Sequence, residues 1–247
     1  MKDIFGKALL HYQNNISTGS MTENIITWTN ISSEDILPLP HLFRDFKNMP
    51  KLEQEALRLC KGSILDVGCG AGSHSLYLQE NGFQVKAIDI SKGAIEVCKQ
   101  RGVINTETRA LLDETETFDT ILLLMNGTGI FQELMQVSKY LSHLKSLLKP
   151  KGQILIDSSD IKYMYEDDDG GFWQDMNANY YGELDYFISY KGEKEIPMKW
   201  LYLDFNTLKL TCESVGLKCE LVFEGEHFDY LARIIFSHFC KKYTNHV

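Results

Sequence analysis

The chain has 247 residues and a formal net charge of −9, with 44% hydrophobic and 24% charged residues. That content suits one large packed domain, or one domain with an appended cap, and the acidic surplus argues against nucleic-acid partners, which call for clustered Lys and Arg. The longest apolar runs, such as 121–125, fall far short of the roughly 20 residues that span a bilayer, and the N-terminal stretch lacks a signal-peptide core, so a cytoplasmic protein without a membrane partner is expected.

Residues 1–13 are expected to form an amphipathic helix, with Ile4, Phe5, Ala8, Leu9 and Tyr12 at helical spacing. A polar loop follows, then a stretch marked by Pro38, Pro40 and Pro50 that excludes one continuous helix. KLEQEALRLC reads as a helix closed by Gly62, so residues 1–62 form an N-terminal helical cap ahead of the main domain at 63–247. An apolar strand at 64–67 then stops at Gly68, Gly70 and Gly72, a helix covers 73–80, and Asn81-Gly82 break the chain before a strand ending on Asp89. Ser91 caps a further helix that ends at Gly102. A third strand is expected within 103–112, a buried strand at 118–124, a helix at 131–148 and a strand at 153–156. Strand and helix alternate with short links, which gives a doubly wound, mostly parallel α/β sheet. Residues 157–203 exceed what one connection needs and suggest an inserted β-hairpin lid turning near Lys191-Gly192. A helix at 206–215 and strands at 217–224 and 230–236 complete the chain.

The stretch 63–91 organises the rest. Glycine lacks Cβ, so the loop at 68–72 can turn tightly and bring backbone N–H groups to a ligand, while the next helix aims its positive end at the same place. Asp89, at the end of the second strand, is placed to accept hydrogen bonds from both hydroxyls of a ribose. A dinucleotide fingerprint would need glycine at position 73, where the chain has Ser73.

The form found, DVGCGAG with Asp66 two residues before the first glycine and an acid at the next strand end, resembles motif I of the class I methyltransferases that use S-adenosylmethionine. The resemblance runs from Ser63 to about Phe236. It implies a Rossmann-like seven-stranded sheet with an antiparallel last strand. It also implies a glycine loop wrapped around the methionine part of S-adenosyl-L-methionine, and N-terminal material lying over the cofactor. The acid that many members place after the third strand is absent; Ala110, Leu111 and Asp113 stand there. The segment after the fourth strand, Asn126-Gly127-Thr128-Gly129, has neither the Asn/Asp-Pro-Pro-aromatic pattern of enzymes acting on DNA amino groups nor the Pro-Cys of pyrimidine carbon-5 enzymes.

Ligands of an open parallel sheet bind beyond the carboxyl ends of the strands. The expected cofactor contacts are therefore Asp66, Gly68, Cys69, Gly70, Gly72, Asp89, Ile90, Leu111, Met125, Asn126 and Gly127, with His74 covering the cofactor or the helix start. Trp28, Asp157, Asp160, Tyr163, Trp173 and Trp200 are candidates for the substrate side, and Tyr180 and Phe172 belong to the same aromatic set. His227 is the candidate catalytic base. No metal is expected: the six cysteines show no C-x-x-C pair and read as reduced, buried thiols. The reading is an enzyme, monomeric or homodimeric, that methylates O or N of a small molecule. Its alternatives are a non-catalytic adenosylmethionine-binding regulator and an NAD-linked oxidoreductase.

Overall fold

The computed structural model describes residues 2–16, 24–166 and 179–237. Helix α1 (Ile4–Asn15) buries Ile4, Ala8 and Leu9, and the Asp3 carboxylate caps it by accepting the Gly6 N–H at 3.1 Å. The chain then forms an antiparallel hairpin, β1 (Ile25–Thr29) and β2 (Ser32–Leu37). The expectation of a helical cap did not include these strands, because their sheet partner lies far along the chain. A short helix, α2 (Leu39–Leu42), carries Pro40 in its first turn, where no N–H is needed. Helix α3 (Lys51–Leu59) leads into the main domain.

From there strand and helix alternate: β3 (Ser63–Val67), α4 (Ser73–Glu80), β4 (Gln84–Asp89), α5 (Lys92–Arg101), β5 (Thr106–Thr108), β6 (Phe118–Leu123), α6 (Leu134–Ser146) and β7 (Leu148–Ser159). Three strands of the insertion follow, β8 (Glu183–Tyr190), β9 (Glu193–Lys194) and β10 (Met198–Leu201). Then come α7 (Phe205–Ser214), β11 (Leu217–Glu224) and β12 (Asp229–Phe236). The central sheet has seven strands in the order β11-β12-β7-β6-β3-β4-β5, and β12 runs antiparallel to both neighbours. The doubly wound, Rossmann-like sheet expected from the sequence is therefore present.

Alternation along the central strands covers both faces. Leu65, Ile121, Leu123, Ile154 and Ile156 pack against Val137, Leu141 and Leu144 of α6. On the other face Ile64, Leu122 and Leu155 meet Leu52, Ala56 and Leu57 of α3 and Leu78 of α4. Burial on both faces explains why these strands read as unbroken apolar runs. Three boundaries moved. The third strand is only Thr106–Thr108, because the chain turns into a 3-10 segment at Leu111–Asp113. The helix expected from 131 begins at Leu134, behind a 3-10 turn at Gly127–Phe131. Strand β7 takes in the expected turn at 149–152 through an irregular register against β6.

A second, five-stranded sheet has the order β10-β8-β1-β2, with β9 paired to β8. Its inserted hairpin turns at Lys191-Gly192 as expected; both residues have positive φ (51° and 76°), the pattern that suits the twist of a tight hairpin. Helix α1 lies between this small sheet and α5. One side packs with Ile25, Ile188 and Tyr190, while Gly6 crosses Gly93 so closely that a Cβ on Gly93 would sit 2.5 Å from the Gly6 backbone.

Candidate active site

The site is built from the carboxyl end of β3 outward. Gly68, Gly70 and Gly72 all have positive φ, at 71°, 52° and 80°. At Gly72 a side chain would also meet Cys98 Sγ at 2.9 Å and Val103 at 3.0 Å, so both the conformation and the space require glycine. The loop is pinned by Gly68 N–H and Cys69 N–H, which both donate to the Ile88 carbonyl (2.9 and 3.1 Å). Asp66 closes it from below. Its buried carboxyl accepts the Ser75 hydroxyl at 2.6 Å, on the first turn of α4, and burial pushes its pKa up. Cys69 and Cys98 are neighbouring buried thiols with sulfurs 3.7 Å apart, and the five described cysteines are all free.

Asp89 stands opposite this loop. One carboxylate oxygen accepts Gly70 N–H (3.0 Å) and the other Ser91 N–H (2.8 Å), so each oxygen keeps a further lone pair for a ligand hydroxyl. Burial pushes its pKa up to about 6; the Ser91 and Gly70 N–H groups pull it back, and the charges of Asp3 and Asp66 push it further up. Beside Asp89 an open cleft of about 400 Å³ is lined by Ile90, Glu107, Thr108, Arg109, Ala110 and Asp113. Leu111 does not line it: the 3-10 turn folds that side chain into the core, leaving Ala110 and Asp113 at the surface of the cleft. The glycine loop, Asp89 and this cleft thus follow one another along the carboxyl edge of β3, β4 and β5.

His74 lies under the loop, and its ring is not offered to a ligand. Nε2 contacts Glu53 at 2.7 Å, and Glu53 in turn binds Arg44, whose guanidinium also reaches the His41 carbonyl. Burial favours neutral imidazole, but the Glu53 hydrogen bond and the charges of Asp66 and Glu53 outweigh it and raise the His74 pKa. Burial likewise opposes charge on Glu53, yet its contacts with His74 and Arg44 hold its carboxyl below the ordinary range. The sequence reading missed Arg44 and Glu53, which stand in no recognisable motif.

Past β6 the backbone is strained. Met125 and Asn126 both take positive φ (66° and 61°), a conformation costly for side-chain-bearing residues and concentrated at functional sites. Asp157 holds this turn by accepting Gly127 N–H at 2.9 Å; burial pushes its pKa up to about 6 against the Gly127 and Asn126 N–H groups. The Asn126 side chain is engaged too, accepting the Ser158 hydroxyl (3.0 Å) and donating to the Leu201 carbonyl (3.3 Å). Thr128 adds a 3.0 Å bond to Leu201 O, so this loop is tied directly to the small sheet. The Trp200 ring of β10 lies against Gly129, where any Cβ would collide with it.

The remaining candidates divide. Tyr163 stacks on Phe228 (centroids 4.9 Å apart), and Asp160 accepts the Tyr181 hydroxyl at 2.8 Å. Tyr180 is bound to Asp204. His227 is exposed in the turn before β12; its backbone N–H donates to Asp229, and its ring makes no hydrogen bond among the described residues. Trp28 pairs across the sheet with Phe187, on the face opposite to Tyr186 and Trp200, so it does not join the group around Trp200. Trp173 and Phe172 lie outside the described residues. The structure adds Tyr202, half-buried beside β10, with Tyr186, Tyr163 and Asp157 within electrostatic reach; burial pushes its pKa up to about 12. Nothing in the sequence singled it out from the other tyrosines.

A doubly wound sheet with this glycine loop and acid is the architecture of the class I methyltransferases, and known proteins agree. Residues 64–152 match a family model described as a methyltransferase domain. The crystal structure of a SAM-dependent methyltransferase from Bacteroides fragilis, in complex with S-adenosyl-L-homocysteine, is 43% identical. It matches over 96% of this chain and 95% of that one, with a TM-score of 0.88. A ubiquinone biosynthesis O-methyltransferase of Rickettsia conorii is 26% identical over 168 residues, 62% of this chain and 56% of that protein. A 23S rRNA uracil-C5 methyltransferase of Pyrococcus horikoshii is 28% identical over 82 residues, 30% of this chain and 20% of that protein. The chain spans 42%, 41% and 56% of the length of three curated relatives that it matches. The chain belongs to the S-adenosylmethionine-dependent methyltransferases, and S-adenosylmethionine is its cofactor. No helix among the described residues is long and apolar enough to cross a membrane.

Proposed function

We propose that the protein transfers the methyl group of S-adenosylmethionine to an oxygen or nitrogen of a small acceptor held between the two sheets. The observation that carries this reading is the roof over the carboxyl edge of the central sheet, where Trp200 covers Gly129 and Leu201 binds Thr128 and Asn126. A roof made from the chain's own strands encloses a small molecule, and the net charge of −9 disfavours a nucleic acid. In this reading the loop at 68–72 holds the methionine end, Asp89 takes the ribose hydroxyls, and Ile90, Ala110 and Asp113 flank the adenine. The bound sulfonium supplies an activated methyl group. The chain's part is to align the acceptor in line with that methyl and to exclude water. Tyr202, half-buried next to Leu201 of the roof, offers its hydroxyl to the acceptor. The free, buried thiols suit a cytoplasmic enzyme.

The test is transfer of labelled methyl from S-adenosylmethionine by the full chain, with panels of small amines, alcohols and phenols run beside RNA. Label on a small molecule is the expected result, with Tyr202→Phe raising the acceptor KM and leaving that of the cofactor unchanged. Label on RNA alone, or cofactor binding without transfer to any acceptor, would overturn the reading.

A further inference from the structure

Helix α1 touches both halves of the site, and one carboxylate from the small sheet holds its start. Glu195, just past β9 and buried, accepts Lys2 N–H (2.8 Å), Ile4 N–H (2.9 Å) and Ile196 N–H (2.9 Å). Its own backbone N–H is fixed to Ile188 O of β8, so the carboxylate moves with the small sheet. Three N–H bonds converging on one carboxylate form a strong clamp, since hydrogen bonds to ionised acceptors are about twice as strong as neutral ones. Next in line is Asp3, in a left-handed conformation (φ 58°), with its two oxygens divided between two helices. Oδ1 accepts Gly6 N–H of α1 at 3.1 Å, and Oδ2 accepts Gly93 N–H of α5 at 2.9 Å. The Gly6–Gly93 crossing leaves no room for slippage, because a Cβ on Gly6 would strike Ser91 Oγ. Ser91 caps α5 through Ala94 N–H (3.0 Å) and donates its own N–H to Asp89 at 2.8 Å.

We propose that Glu195 is a positioning residue for the cofactor site, acting through the start of α1, Asp3 and the first turn of α5 on the carboxylate of Asp89. The consequence is coupling: seating of the acceptor-side sheet and grip on the cofactor ribose share one rigid path. Glu195 touches neither ligand. The inference rests on the proposed ribose role of Asp89, and the test keeps the two apart.

The experiment is calorimetric titration of the full chain with S-adenosylhomocysteine, accompanied by thermal melting. Glu195→Ala is expected to weaken binding about fivefold, and Glu195→Gln, which keeps one acceptor oxygen, to recover most of that loss. Asp89→Asn alone should weaken binding by about tenfold or more. The double variant should bind no worse than Asp89→Asn, since both changes break one path, whereas independent sites would multiply their losses. Asp3→Ala, which removes both oxygens of the next link, should repeat the pattern and serves if Glu195→Ala does not fold. A lowered melting point with unchanged affinity in Glu195→Ala, or losses that multiply in the double variant, would overturn the relay. Unchanged affinity in Asp89→Asn would overturn the ribose assignment itself, and a loss there with none in Glu195→Ala would sink only the relay.

Discussion

The two edges of the site are made in different ways. On the cofactor side, one stretch of under thirty residues supplies strand, turn, helix start and acid, and every contact from Asp66–Ser75 to Gly70–Asp89 is local in sequence. On the acceptor side, Trp200, Asn126, Asp157 and Tyr202 come from three separate segments, and β10 is bound to the turn after β6 through Leu201. The first edge is a motif. The second is an assembly, and its chemistry is set by neighbours and not by spacing.

Breaking the buried network beneath the glycine loop should have the largest effect. Glu53→Ala leaves Arg44 and His74 buried without their carboxylate, and removal of one member of such a network costs about 3–5 kcal/mol. Chemical denaturation near neutral pH measures it. The sign with pH follows from the shifts. The lowered Glu53 pKa gives stability that is present above its unfolded value and lost as pH falls through the folded one. The raised His74 pKa gives stability that is present below its unfolded value and lost as pH rises through the folded one. The network therefore contributes most between the two, and the stability difference between wild type and Glu53→Ala should narrow on both sides of that window.

The contrast sharpens with two glycines. Gly72→Ala forces a Cβ against Cys98 and Val103 at a positive φ and should cost about 2 kcal/mol of stability together with most of the cofactor affinity. Gly129→Ala should push Trp200 off its seat and lower kcat/KM for the acceptor by about tenfold, with S-adenosylhomocysteine affinity nearly unchanged. Equal effects of the two changes on cofactor binding would erase the distinction between the edges.

A smaller effect is expected from pH. With its pKa near 6, Asp89 loses its charge in mildly acidic solution, so S-adenosylhomocysteine affinity should decline as pH falls below about 6. Asp89→Asn should flatten that profile. The same raised pKa means that folding stability contributed by Asp89 falls as pH rises from its unfolded value of 3.8 towards 6.

Legibility in the sequence follows the same division. The central sheet could be read because apolar runs, glycine breaks and capping residues such as Ser91 are local signals, and α5 begins and ends where Ser91 and Gly102 place it. The hairpin at 25–37 could not, since β1 is short and one of its two partners, the strand that holds Ile188 and Phe187, lies far along the chain. Leu111 was assigned to the adenine cleft because position after the third strand was the only guide, and a 3-10 turn redirected it. His74 stood beside the glycine loop in sequence, yet its ring faces Glu53, twenty-one positions away. Tyr202 carried no signal, because a tyrosine acquires a role from what surrounds its hydroxyl.

The pairing of Ile26 with Ser189 has a consequence for how the protein is made. During synthesis the hairpin at 25–37 emerges early and finds no strand to join. The parallel strands that carry the glycine loop can settle first, and the roof closes only after β10 has left the ribosome. An intermediate with its glycine loop formed yet open on its acceptor side would be the natural product of that order.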